Sequence, residues 1–157
     1  MKKLIGLLAV IFIVSTGQVF AQSTTIDAKN VIVKVDKEGE CAPYIKAKLT
    51  EFLLNEGFNL TADETKASFI LNVTQINVFI EKQYSGAANV SFVLELVEKS
   101  SSKVVVYAVA KSSPYDSVSF ARVNNNSDSV KSYTIDVMAE RGFSYEFKES
   151  LNKILKK

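Results

Sequence analysis

The chain has 157 residues, 47% of them hydrophobic and 23% charged, with 19 basic and 17 acidic side chains, one cysteine and no histidine. Without histidine, Ser-His-Asp and Cys-His catalysis and histidine-ligated zinc or iron are excluded, and one cysteine excludes an intrachain disulfide or a thiolate cluster. Balanced charge with no basic cluster offers nothing to neutralise a phosphate backbone, so no nucleic-acid partner is expected.

Met1 to Ala21 reads as a signal peptide. Lys2 and Lys3 form its positive start, Leu4 to Val14 its apolar centre, and Val19-Phe20-Ala21 precedes a cut at Ala21/Gln22. The apolar run is shorter than the ~20 residues a bilayer core requires, which favours a cleaved leader over an anchor. No later segment reads as a transmembrane helix. Residues 22–157 are then expected to form a single α+β domain, exported to the periplasm or secreted. Loss of Lys2 and Lys3 leaves 17 basic residues against 17 acidic ones. Acylation of Cys41 is not expected, because a lipoprotein cysteine directly follows the apolar centre and Cys41 lies far downstream.

Asn30 to Val35 (NVIVKV) alternates and predicts a first strand. The turn Asp36-Lys37-Glu38-Gly39-Glu40 has the acids of a calcium loop but not its spacing, so a solvated turn is expected. Cys41 stands before a helix, where a thiol can be activated or can simply fill a half-apolar entrance; the latter is the expectation. Pro43 suits a first helical turn, and Ile45, Leu49, Phe52 and Leu53 lie at helical spacing on one face. Gly57 supplies the left-handed residue that ends such a helix.

After the polar stretch Thr61 to Ala67, Phe69, Leu71 and Val73 share one face of a long strand, whereas Ile76, Val78 and Ile80 have the opposite parity. That change of parity predicts a bulge or sharp twist near Thr74-Gln75. Glu81 to Ala88 reads as a loop. Val90, Phe92, Leu94 and Leu96 alternate in the next strand, Lys99 to Lys103 is a turn, and Val104 to Ala110 (VVVYAVA) completes a hairpin. Three strands in this order favour an antiparallel meander.

Ser112 to Ser132 is rich in Ser and Asn and is expected to be a mobile loop. Tyr115, Phe120 and Arg122 within it are residue types enriched at interface hot spots, which makes them candidate interaction residues. Asn125-Asn126-Ser127 fits a glycosylation acceptor only formally. Ala139, Phe143, Phe147 and Leu151 step by four and predict an amphipathic C-terminal helix extended by Ile154 and Leu155. Gly142 inside it implies a close backbone approach, or a later helix start with Tyr133 to Met138 extended.

The expected fold is therefore α+β, an antiparallel sheet of about four strands packed against two helices, in the order β-α-β-β-β-α. The acids fall on turns and exposed strand positions, Glu95 being turned away from the face of Leu94 and Leu96. No acid sits in a setting that would raise its pKa for general-acid work. Neither catalytic residues nor a metal or other cofactor are expected.

The stretch LTEFLLNEGFNL followed by TADETKASFILNV resembles a signature of small bacterial envelope domains, as does the hairpin VSFVLELVEKSSSKVVVYAVA. Those domains occur in the curli-secretion lipoprotein, the penicillin-binding-protein activator lipoproteins and the amino-terminal part of the Tol-system propeller protein. The likeness spans Val31 to Ala110. Ser68 stands where such domains carry Asp, and Lys99-Ser100-Ser101-Ser102 replaces their Asp-x-x-Gly turn. It implies a non-enzymatic envelope accessory domain that contacts another envelope protein or self-associates. The alternative expectation is a periplasmic carrier of a small apolar ligand, with Phe52, Phe69, Phe79, Phe92 and Tyr107 lining its pocket.

Overall fold

The computed structural model describes residues 30–36, 39–81, 87–113 and 127–155. The elements run β1 (Asn30–Val35), α1 (Ala42–Asn55), β2 (Asn59–Leu60), β3 (Phe69–Glu81), β4 (Ala87–Glu98), β5 (Lys103–Lys111), α2 (Ser127–Glu140) and α3 (Tyr145–Leu155). One five-stranded sheet has the order β2-β1-β3-β4-β5. The leader and the candidate residues Tyr115, Phe120 and Arg122 lie outside the described residues.

The α+β class stands, with three corrections. The sheet has five strands rather than about four, because Asn59-Leu60 adds a short rung beside β1. It is mixed rather than antiparallel: β1 runs parallel to β3 in the register Val31↔Phe69 to Val35↔Val73. The cause is α1. A helix laid over one face between two neighbouring strands carries the chain back to its starting end, and only a parallel partner can follow such a crossover. The third correction is the helix count, three among the described residues instead of two.

α1 forms where the apolar spacing placed it. Ile45, Leu49, Phe52 and Leu53 are buried, and Pro43 occupies the first turn. The helix ends in a Schellman arrangement: Gly57, at φ +93°, donates its N–H to Leu54 O, and Phe58 donates to Leu53 O. A second such arrangement closes α2. Gly142, at φ +76°, donates to Ala139 O and Phe143 to Met138 O. Ser144 then caps α3 by accepting the Phe147 N–H at 3.1 Å. The predicted C-terminal stripe is thus real but spans two helices, with the break at Gly142.

α2 also takes residues 127–132 out of the loop expected at 112–132, of which 114–126 lie outside the described residues, and 133–138 are helical rather than extended. Its buried stripe is Val130, Thr134, Ile135 and Met138. Thr134 bonds back to Val130 O, which satisfies the hydroxyl inside the core. Ser112 is likewise buried; its Oγ accepts the Val90 N–H at 2.9 Å.

The bulge lies where parity predicted it. Thr74 faces Val93 and Asn77 faces Ser91, so Gln75 and Ile76 together oppose Phe92 alone. Gln75 takes φ +52°. The extra residue lets Phe69, Leu71 and Val73 before it, and Ile76, Val78 and Ile80 after it, all pack on the helix side. The core lies between that sheet face and the helices. Phe52 of α1 meets Phe143 edge-on at 5.6 Å and Phe147 at 6.1 Å, and Phe143 meets Phe92 of β4 at 5.8 Å. These spacings are those of favourable aromatic pairs.

Candidate interaction surface

With the helices on one face, the fate of the other face follows from the alternation of β5. Val106, Ala108 and Ala110 point into the core, and Tyr107 and Val109 must point away from it. A register shift between Leu96 and Val97 sets Val97 opposite Val104, leaving Val105 as the extra residue. Val104 and Val105 are therefore exposed next to each other. The exposures are Val104 52%, Val105 41%, Tyr107 61% and Val109 52%. Four large apolar side chains on one edge strand form a contiguous patch, which single scattered apolar residues do not.

The exposed part of the patch ends at β5: behind it the registers set Val93 and Ile32, 6% and 8% exposed, and the half-buried Val97 and Ile70. Val109 faces Val93 and Val104 faces Val97 on β4, Val97 faces Ile70 on β3, and Ile70 faces Ile32 on β1. Between these apolar rows runs a polar one of Lys34, Asn72, Glu95 and Tyr107. Glu95 thus stands on the face away from Leu94 and Leu96, as alternation requires. Phe79, 58% exposed, lies on the same face beyond the bulge, opposite Asn89. Lys103 and Lys111 bracket β5, and such edge cations discourage indiscriminate strand pairing.

The five aromatics proposed to line one pocket do not converge. Phe52, Phe69 and Phe92 are buried between sheet and helices, whereas Phe79 and Tyr107 are exposed on the opposite face. Sequence reading missed Val104, Val105 and Val109 as surface residues. The available signal was that VVVYAVA is apolar at both parities, so one set had to face outward.

Cys41 occupies the N-cap of α1 in the left-handed region, φ +61°, with no side-chain capping bond. Burial, followed by the neighbouring Glu40 carboxylate, pushes its thiol pKa up, so the helix entrance does not activate it. Glu40, one of the acids of the calcium-like turn, pairs with Lys131 of α2. Asp136 of α2 accepts from the Tyr44 hydroxyl at 2.8 Å and pairs with Lys48 at 2.8 Å, so charged contacts join α1 to α2. Among the described residues no three of His, Cys, Asp and Glu are grouped to hold a metal ion. No helix among them is long and apolar enough to cross a membrane.

No protein-family model matches the chain, and no curated protein matches it. The resemblance to the curli-secretion and related envelope domains therefore rests on sequence pattern alone. Solved structures give partial likenesses. A minor lipoprotein from Acinetobacter baumannii is 13% identical with a TM-score of 0.48, covering 80% of this chain and 95% of that one. The PelC dodecamer protein from Paraburkholderia phytofirmans is 15% identical with a TM-score of 0.49, covering 71% of this chain and 86% of that one.

Proposed function

We propose that this protein is an exported, non-enzymatic accessory domain of the cell envelope that acts through protein–protein contacts. The observation that carries the reading is the apolar patch of Val104, Val105, Tyr107 and Val109 on the sheet face turned away from all three helices. A protein that folds by burying Val106, Ala108 and Ala110 gains nothing in its own core from these neighbours. Aromatic and aliphatic side chains desolvated together by a partner are the usual centre of an interface. The polar row through Lys34, Asn72, Glu95 and Tyr107 would set register against that partner, either another envelope protein or a second copy. Export rests on the leader-like segment Met1 to Ala21.

The test places a photoreactive phenylalanine analogue at Tyr107 and, as a control, at the exposed Glu149 of α3. Irradiation of intact host cells should yield a discrete cross-linked species from position 107 and none from 149. Monomer alone from position 107 at native abundance would sink the reading.

A further inference from the structure

The sheet has a second unusual boundary, at the opposite edge from β5. β2 is only two residues long and pairs with Asn30 and Val31. Its last rung is the Thr61 N–H donating to Val31 O at 3.1 Å. The chain then turns away, held by Asp63 N–H to Thr61 Oγ1 at 3.0 Å and Thr65 N–H to Asp63 Oδ1 at 2.9 Å. Past Val31, no strand lies beside β1 on this side among the described residues.

The direction of the unpaired groups follows from the ladder on the other side. Asp36 donates its N–H to Val73 O of β3, and Asn30 O accepts from Ser68 on that same side. Backbone groups alternate along a strand, so the N–H and C=O of Val33 and Val35 point to the edge that β2 leaves open. Beside that edge runs a groove of ≈ 670 Å³, floored by Val33, Val35 and Leu60 and walled by Lys46 and Thr50, one turn apart on α1. Lys34 beside it is already paired with Glu64, whereas Lys46 has no ion partner among the described residues.

We propose that the open edge of β1 from Ile32 to Val35 is a strand-addition site for an extended apolar polypeptide segment bearing a carboxylate side chain. The incoming strand continues the place that β2 vacates. Its backbone meets the Val33 and Val35 groups, alternate apolar side chains enter the groove, and its carboxylate meets Lys46. Main-chain bonds supply affinity in this mode of recognition, and the flanking groove supplies selection. A second copy is the poorer occupant, since two-fold pairing of β1 edges would bring two Lys46 ammonium groups to one junction. β5 is the poorer edge, because it carries Lys at both ends, which discourages strand pairing. The site is independent of the outer sheet face, so failure of either leaves the other standing.

The test uses the whole mature chain, isotopically labelled, and an end-blocked probe peptide, Thr-Val-Glu-Val-Thr-Val-Thr. On titration to about 1 mM, the Val33 and Val35 amides should shift and gain protection from hydrogen exchange. Methylating alternate peptide nitrogens of the probe removes the two hydrogen bonds it donates to Val33 O and Val35 O and should weaken binding about tenfold or more. Lys46→Glu, an exposed helix change that leaves the fold intact, should weaken this probe about two- to fivefold and favour the analogue with Lys in place of Glu. Val35→Pro removes an edge donor and should abolish binding; if it unfolds the chain, the Lys46 charge swap decides alone. Unmoved Val33 and Val35 amides, equal binding of the methylated peptide, or shifts confined to β5 would overturn the proposal. Protection that grows with protein concentration and without peptide would also overturn it, in favour of a second copy.

Discussion

Replacing Gly39 by Ala probes the join between the first turn and the bulge of β3. A Cβ built on Gly39 would stand 2.7 Å from Ile76 Cδ1 and 2.8 Å from Ile76 Cβ. The first contact can be relieved by a rotamer change. The second cannot, because Ile76 Cβ is fixed to the backbone of the bulge, next to Gln75 at φ +52°. Gly39 itself is tied into a tight turn by its N–H to Asp36 O and its C=O to Ala42 N–H. Two effects oppose each other. Ala reduces the freedom of the unfolded chain, worth about 0.4–1 kcal/mol of stabilisation where the site is open. Overpacking of this kind costs about 1–3 kcal/mol. The steric cost wins, and Gly39→Ala should destabilise by about 0.5–2 kcal/mol, lowering the thermal midpoint by about 2–8 °C per kcal/mol. In a double-mutant cycle with Ile76→Ala the loss should shrink but not vanish, since Cδ1 is removed and Cβ is kept. Denaturant unfolding of the four proteins measures this. A Gly39→Ala protein as stable as the parent would refute the reasoning.

Phe52→Ala should cost about 3–5 kcal/mol, because Phe52 joins Phe143 and Phe147 in the aromatic cluster that binds α1 to α3; chemical denaturation checks it. Ser112→Ala leaves the buried Val90 N–H without the oxygen it donates to and should cost about 1–3 kcal/mol, read in the same assay. Stability should fall as pH rises above about 10. Tyr44 has its pKa raised by burial and by its hydrogen bond to Asp136, and Lys48 has its pKa raised by its hydrogen bond to Asp136. For both groups the folded state holds its proton longer than the unfolded state does. Their contribution is therefore complete below the unfolded pKa values and is lost as pH passes the folded ones. Thermal melts from pH 8 to 12 of the parent and of Asp136→Asn should show a shallower alkaline decline in the variant, and parallel curves would refute the assignment.

Local chemistry made much of the fold legible. The stripe Ile45, Leu49, Phe52, Leu53 and the stop at Gly57 are short-range facts, and α1 has those bounds. The parity change at Thr74-Gln75 is also local, because two apolar sets of opposite phase can share a core only through an extra residue. α2 was hidden because its first turns are Ser-, Asp- and Asn-flanked and its stripe includes a threonine. What makes it helical is packing on α1 and β4, which a window of sequence does not contain. The Gly142-Phe143-Ser144 break was readable in principle, since a Gly followed by a Ser is a helix stop followed by an N-cap.

Of the candidate surface, local composition settles that β5 is apolar on both parities. It could not determine which parity meets water. That was decided when α1, α2 and α3 all packed on one side of the sheet, burying Val106, Ala108 and Ala110 and leaving Val105, Tyr107 and Val109 outside. The parallel placement of β1, and with it the open edge beyond Leu60, was decided at the same level. Strand propensity fixes that a segment is extended. Which neighbour it takes, and which of its edges stays open, depend on contacts between residues far apart in the chain, and those exist only once the sheet and its helices have closed on one another.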